Sequence, residues 1–149
     1  MELSAQTLIN RPVELVWNQI IDIRNSAQFI EGIIKIEVLE EPENTRIGFK
    51  WKETRMMFGK EATEIMWITE YKENEYYQTR AESHGSVYIS RMAVEEVNSQ
   101  TQLTMSFKGE PQTFMAKMFS KLMGAMMKGS MKKIVLKDLA DIKVTVEAK

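Results

Sequence analysis

The sequence predicts an α+β fold: a strongly curved seven-stranded antiparallel sheet wrapped around one long C-terminal helix, with one or two short helices after the first strand. Three observations lead there. From residue 33 to residue 109, apolar residues recur at every second position through six successive segments, joined by short polar turns with nothing helical between them. Residues 111–142 carry a helical repeat longer than any other in the chain. No other element is large enough to cover the apolar face of so wide a sheet.

Residues 3–9, LSAQTLI, read as the first strand, and Asn10, Arg11 and Pro12 end it. Pro12 suits the first position of a helix, where its missing N–H costs nothing. Val13, Val16, Trp17, Ile20 and Ile21 then recur at helical spacing, and Asp22 to Ser26 break the pattern. A second short helix is expected over 25–31, closed by Gly32.

In 33–41, IIKIEVLEE, Ile34, Ile36 and Val38 share one face and Lys35 and Glu37 the other. PENTR (42–46) is a turn. In 47–58, Phe49, Trp51, Glu53, Arg55 and Met57 share a face, opposite Lys50 and Lys52. Gly59 marks the next turn; 61–71, 76–83, 87–97 and 102–109 are the remaining strands. Such short connections make the pairing antiparallel. In the long helix, Phe114, Met115, Met118, Phe119, Leu122 and Met126 form one stripe, with Lys117, Lys121, Lys128 and Lys132 on the other side. Met131, Ile134, Val135, Leu139 and Ile142 form a second stripe, rotated from the first. Gly124 and Gly129 flank the change, so a kink or local irregularity is expected there.

The totals narrow the function. At 149 residues the chain is expected to form one domain, 1–149, and it can bury a core without disulfide or metal. Its net charge of −1 argues against a dedicated nucleic-acid binder. The absence of cysteine excludes disulfides and thiol catalysis, and with one histidine it leaves no zinc site. MELSAQTLINRP lacks a basic region followed by an apolar core, so no secretory signal is expected. No apolar run reaches the roughly 18 residues needed to span a bilayer. The expected location is the cytoplasm. The seven glycines are scattered, with no phosphate-binding loop and no Gly-x-Ser-x-Gly elbow, and no cofactor is implied.

INRPVELVWNQIID (9–22), the hairpin region IGFKWKETRMMFGKEATEIMWITEYKENEYYQTRAES (47–83) and the helix ending KDLADIK (137–143) carry a resemblance. Within the middle segment, Gly48, Glu53-x-Arg55, Gly59 and Thr69-Glu70-Tyr71 are its most specific residues. The chain resembles the SRPBCC superfamily (START-like and birch-pollen-allergen-like proteins, of polyketide cyclase/dehydrase and lipid-transport type) over nearly its whole length. The resemblance implies a helix-grip fold with a hydrophobic cavity between sheet and long helix, holding a lipid or polyketide-like small molecule. It does not select among carriers, cyclases and protein-interaction modules.

Strand alternation and the helix stripe nominate the lining: Trp51, Met57, Met66, Ile68, Tyr77, Tyr88, Met92, Met105 and Phe107 from the sheet, and Met115, Met118, Phe119, Leu122 and Met126 from the helix. Twelve methionines, six of them within 112–136, fit a pliable wall, since the unbranched thioether repacks around varied shapes. Filling of a solid core explains them equally in kind. Glu53 and Arg55 share a strand face with Phe49, Trp51 and Met57; if that face points inward, Arg55 would clamp an anionic end of the ligand. The competing arrangement is a salt bridge near the rim. Tyr77 and Tyr88 offer hydroxyls to orient a ligand. No catalytic constellation is evident: His84, beside Gly85 at a turn, reads as a solvated residue. The lysine stripe reads first as a solvated face, and second as a transient membrane contact of the C-terminal helix.

Overall fold

A computed structural model describes residues 1–149. The elements are β1 (Glu2–Ile9), α1 (Val13–Ile20), a 3-10 segment (Ile23–Gln28), β2 (Ile33–Glu40), β3 (Lys50–Met57), β4 (Lys60–Lys72), β5 (Tyr76–Ser83), β6 (Ser86–Val97), β7 (Gln100–Pro111) and α2 (Phe114–Glu147). The seven strands form one antiparallel sheet in the order β1-β7-β6-β5-β4-β3-β2. Strands β2 to β7 follow one another as a meander, and β1 closes the far edge against β7, with Leu3 opposite Phe107 and Ile9 opposite Thr101. The segment 10–32 must therefore cross the full width of the sheet.

Turn chemistry fixes the hairpins. Phe58 and Gly59, His84 and Gly85, and Asn98 and Ser99 each have both φ angles positive, as two-residue loops between right-twisted strands require. Gly85 has a second reason to be glycine. A Cβ there would lie 2.7 Å from Thr113 Oγ1. Thr113 caps α2, its hydroxyl accepting from the Ala116 N–H, and the Gln112 N–H donates to the Gly85 carbonyl. The β5–β6 turn is thus a seat for the start of the long helix.

The dry core gathers at the opposite end. Ile9, Val16, Trp17, Leu103, Leu139, Ile142 and Val146 are almost wholly buried, and Trp17 packs against Tyr71 and Tyr77 at 5.6 and 6.2 Å between ring centroids. The last turn of α2 is tied down there. Its Glu147 carboxylate accepts from the Asn10 N–H at 2.8 Å, and Arg11 donates to the Glu147 and Lys149 carbonyls, a cation at the negative end of the helix dipole.

Several expectations change. The short helix over 25–31 is a 3-10 segment at Ile23–Gln28, and Pro12 stands one place earlier than expected, before the first helical residue. In β2 a bulge between Ile33 and Lys35 turns Ile34 out to solvent, leaving Ile33, Ile36 and Val38 opposite Arg55, Glu53 and Trp51. No break in the helix occurs at Gly124 and Gly129: α2 runs as one element of 34 residues, about 50 Å. The inward face turns gradually instead, by roughly 100° between the first and second halves of α2. Ala116, Ser120, Met123, Met127, Met131, Val135, Leu139, Ile142 and Val146 form one continuous row of shielded positions at helical spacing.

Candidate functional site

The concave face of the sheet changes character along its length. Near the core it is dry, with Trp51, Ile68, Tyr77, Met92, Val94 and Leu103 buried. Toward the α2 start the inward residues become small, with Thr79, Ala81, Ser90 and Gly109 in the middle strands, ringed by half-buried Met66, Tyr88, Met105 and Phe107. Tyr88 stacks on Phe107 at 5.7 Å and 23°, and lies so close over Gly109 that a Cβ there would come within 3.2 Å of the ring. Small residues between large ones make a trough. Along the span of α2 from Phe114 to Ile134 no residue is fully buried, whereas Thr79 and Ala81 on the floor of the trough are.

Three charged side chains meet beside this trough. Arg55 Nε donates to Glu53 Oε2 at 2.9 Å; Arg55 Nη2 and Nη1 donate to Asp138 Oδ2 and Oδ1 at 2.8 and 3.3 Å. Trp51 Nε1 donates to the second Glu53 oxygen at 3.3 Å. All three charged side chains are largely shielded, at 14% exposure for Arg55, 13% for Glu53 and 6% for Asp138. Gly32 makes room: a Cβ there would sit 3.3 Å from Arg55 Nη1. The fork geometry is what guanidinium offers and ammonium does not. Against the desolvation of its burial, Glu53 and Asp138 hold the Arg55 guanidinium above its ordinary value. Burial pushes the Asp138 carboxyl up, with Arg55 pulling it partly back.

Arg55 therefore faces inward as a paired residue. The reading of Arg55 as a free anion clamp is corrected: Asp138 occupies the bidentate face of the guanidinium. Asp138 was missed in the sequence, although its signal was there. It stands three residues after Val135 and four before Ile142, an acid on the core face of the helix. Glu64 was missed as well. It pairs directly across from Glu53 on the same face of the sheet. Burial, and then the Glu53 charge, push its carboxyl above the ordinary range, with His84 pulling the other way.

Tyr77 is buried, and its hydroxyl donates to the Ile20 carbonyl at the end of α1. Burial, and next Glu53, push its phenol far above the ordinary range. It locks α1 to the sheet, where a ligand-orienting role was expected. Of the sheet residues nominated from sequence, Trp51, Glu53, Arg55, Met66, Tyr77, Tyr88, Met92, Met105 and Phe107 all lie on the concave side.

The helix residues do not join them. Met115, Met118, Phe119, Leu122 and Met126 are exposed, as is Phe114. The residues that face the sheet from this span are Ala116, Ser120, Met123 and Met127. The most apolar stripe of the helix is not its inward stripe; the two differ by roughly 100° around the axis. Two surface depressions lie away from the trough. One, ≈ 370 Å³, is lined mostly by polar residues of 10–14 and 96–101; the other, ≈ 320 Å³, lies around Asn18, Arg24, Glu41 and Phe49. Neither has the apolar lining that a hydrophobic ligand needs.

The family described as polyketide cyclase/dehydrase and lipid transport matches residues 1–147. The chain belongs to this polyketide cyclase/dehydrase and lipid transport family. Among solved structures, TTHA0849 of Thermus thermophilus superposes with a TM-score of 0.82 at 15% identity, covering 99% of this chain and 98% of that one. The Zhui aromatase/cyclase of Streptomyces sp. R1128 gives 0.75 at 14% identity, covering 99% and 93%. A START superfamily protein of Mycobacterium smegmatis gives 0.67 at 15% identity, covering 90% and 93%. At such identities the likeness is one of fold, and it extends the SRPBCC resemblance read from residues 9–22 and 47–83 to the architecture as a whole. No curated protein sequence matches the chain. No helix of this family member is long and apolar enough to cross a membrane.

Proposed function

We propose that this protein binds an apolar or amphipathic small molecule, of lipid or polyketide-like chemistry, in the trough between the sheet and the first half of α2. One observation carries the reading: half-buried Met66, Tyr88, Met105 and Phe107 surround the small residues Thr79, Ala81, Ser90 and Gly109, beneath a helix span with no fully buried residue. Apolar side chains left partly uncovered around small ones gain by burying a ligand. Met123 and Met127 on the helix side supply the adaptable wall.

Native mass spectrometry of protein purified from its own host, followed by organic extraction, tests this. A retained apolar compound, displaced from an Ala81→Phe variant that fills the trough, is the expected result. An empty protein that binds none of a panel of fatty acids, sterols and flavonoids would overturn it and favour a protein-interaction module with a closed interior.

A second reading, a cyclase/dehydrase-type enzyme in the same trough, draws on the buried Glu53–Arg55–Asp138 cluster and the fold shared with the Streptomyces aromatase/cyclase. Recovery of the ligand chemically changed, with the change abolished in Asp138→Asn, would favour catalysis over carriage.

A further inference from the structure

The outward stripe of α2 has no partner within the chain. Phe114, Met115, Phe119, Leu122 and Met126 are each more than half exposed, and Leu122 reaches 77%. Met115, Phe119, Leu122 and Met126 follow one line along about 16 Å of helix, with Phe114 beside its start. A contiguous row of large apolar side chains in water marks a contact surface, where scattered ones would mark nothing.

Charge says what the surface meets. From Pro111 to Lys137 there are six lysines and no acid, in a chain whose net charge is −1. Lys117, Lys121, Lys128 and Lys132 run along the flank of α2 away from the sheet, and Lys137 is the first of the six to find carboxylates, those of Glu31 and Asp141. Helix stability does not explain them. The first turn of α2 holds no acidic residue, and lysines near the N-terminus oppose the helix dipole. A loop at the same end of the sheet repeats the pattern. Met56 and Phe58 are exposed at the β3–β4 hairpin, at the same end of the sheet as the α2 start, with Lys60 next to them. Phe58 has φ +54, a conformation unfavourable for a bulky residue and cheap for asparagine, yet an aromatic tip stands there.

We infer that this end of the molecule docks on a bilayer carrying anionic lipid. The α2 stripe and Phe58 enter the headgroup boundary, and the lysine flank meets the lipid phosphates. This inference stands apart from ligand binding in the trough and does not depend on it.

Vesicle co-sedimentation tests it. The intact protein should pellet with vesicles of equal parts phosphatidylcholine and phosphatidylglycerol, much less with pure phosphatidylcholine, and less again in high salt. The double variant Phe119→Ser, Leu122→Ser and the triple variant Lys117→Gln, Lys121→Gln, Lys128→Gln should each bind anionic vesicles at least about tenfold more weakly. All five positions are exposed, so thermal unfolding of both variants should match the parent. No pelleting with anionic vesicles, or binding that neither variant weakens, overturns the inference. So does a concentration-dependent dimer that replaces vesicle binding and vanishes in the double variant, since the stripe would then be a contact between copies.

Discussion

Arg55 and Asp138 are 83 residues apart in sequence and meet in a two-point ion pair, with Nη2–Oδ2 at 2.8 Å and Nη1–Oδ1 at 3.3 Å. The pair joins β3 to α2 across the concave face, and Glu53 holds the third edge of the guanidinium. It is the polar clasp between sheet and helix, at the boundary between the dry core and the trough.

Removing the cation should be severe. Arg55→Met leaves Glu53 and Asp138 shielded from water without a counter-charge, and urea unfolding should show a loss of about 3–5 kcal/mol. Replacing the cluster together (Glu53→Leu, Arg55→Met, Asp138→Leu) should recover most of that loss. A triple variant no more stable than Arg55→Met would show that the cluster does more than neutralise itself.

Glu64 should respond to pH in a defined direction. Its folded pKa lies above its unfolded value, so its favourable contribution exists in acid and is lost as pH rises through the folded pKa. Ionised, it opposes Glu53 across the strand pair. Glu64→Gln should therefore raise the Tm at pH 7 and leave it unchanged near pH ~4, where the parent carboxyl is protonated. A Tm at pH 7 that does not rise would mean that neither burial nor Glu53 penalises the ionised carboxyl.

Two leucines on one helix should behave as opposites. Leu139 is 1% exposed and Leu122 is 77% exposed. Leu139→Ala should cost about 2–5 kcal/mol by opening a cavity in the core. Leu122→Ala should change stability by no more than about 0.5 kcal/mol. A large loss at Leu122 in urea unfolding would contradict its outward placement.

Gly85 and Gly59 occupy similar turns with different surroundings. Gly59→Ala meets no neighbour and should cost about 1 kcal/mol for its positive φ alone. Gly85→Ala adds a collision with Thr113 and should cost clearly more, unseating the start of α2. Thermal unfolding of the two variants side by side isolates that contact.

Most of the fold was legible because period-two and period-3.6 patterns report burial directly. All seven strands, the single long helix and the inward set on β3 to β7 follow from alternation. The bulge at Ile34 was not legible, since one extra residue in a strand leaves the local pattern plausible in either register. The error on α2 has a different cause. Its apolar stripe was read as inward because apolar residues usually are, whereas the residues that face the sheet include Ala116 and Ser120, too small to announce themselves. Asp138 was overlooked for the converse reason: an acid in a helix reads as solvated until its apolar neighbours at Val135, Leu139 and Ile142 are placed around it.

The pairing of β1 with β7 sets an order of events during synthesis. Strand β1 has no neighbour until residues 101–108 have emerged from the ribosome, and the core it helps to build also needs Leu139 and Val146. The meander from β2 to β7 can assemble as it is made; β1 and α2 join last, bringing contacts between the two ends of the chain. Nascent chains stalled before residue 100 should keep LSAQTLI open to protease, and protection should arrive in one late step as the final helix clears the exit tunnel.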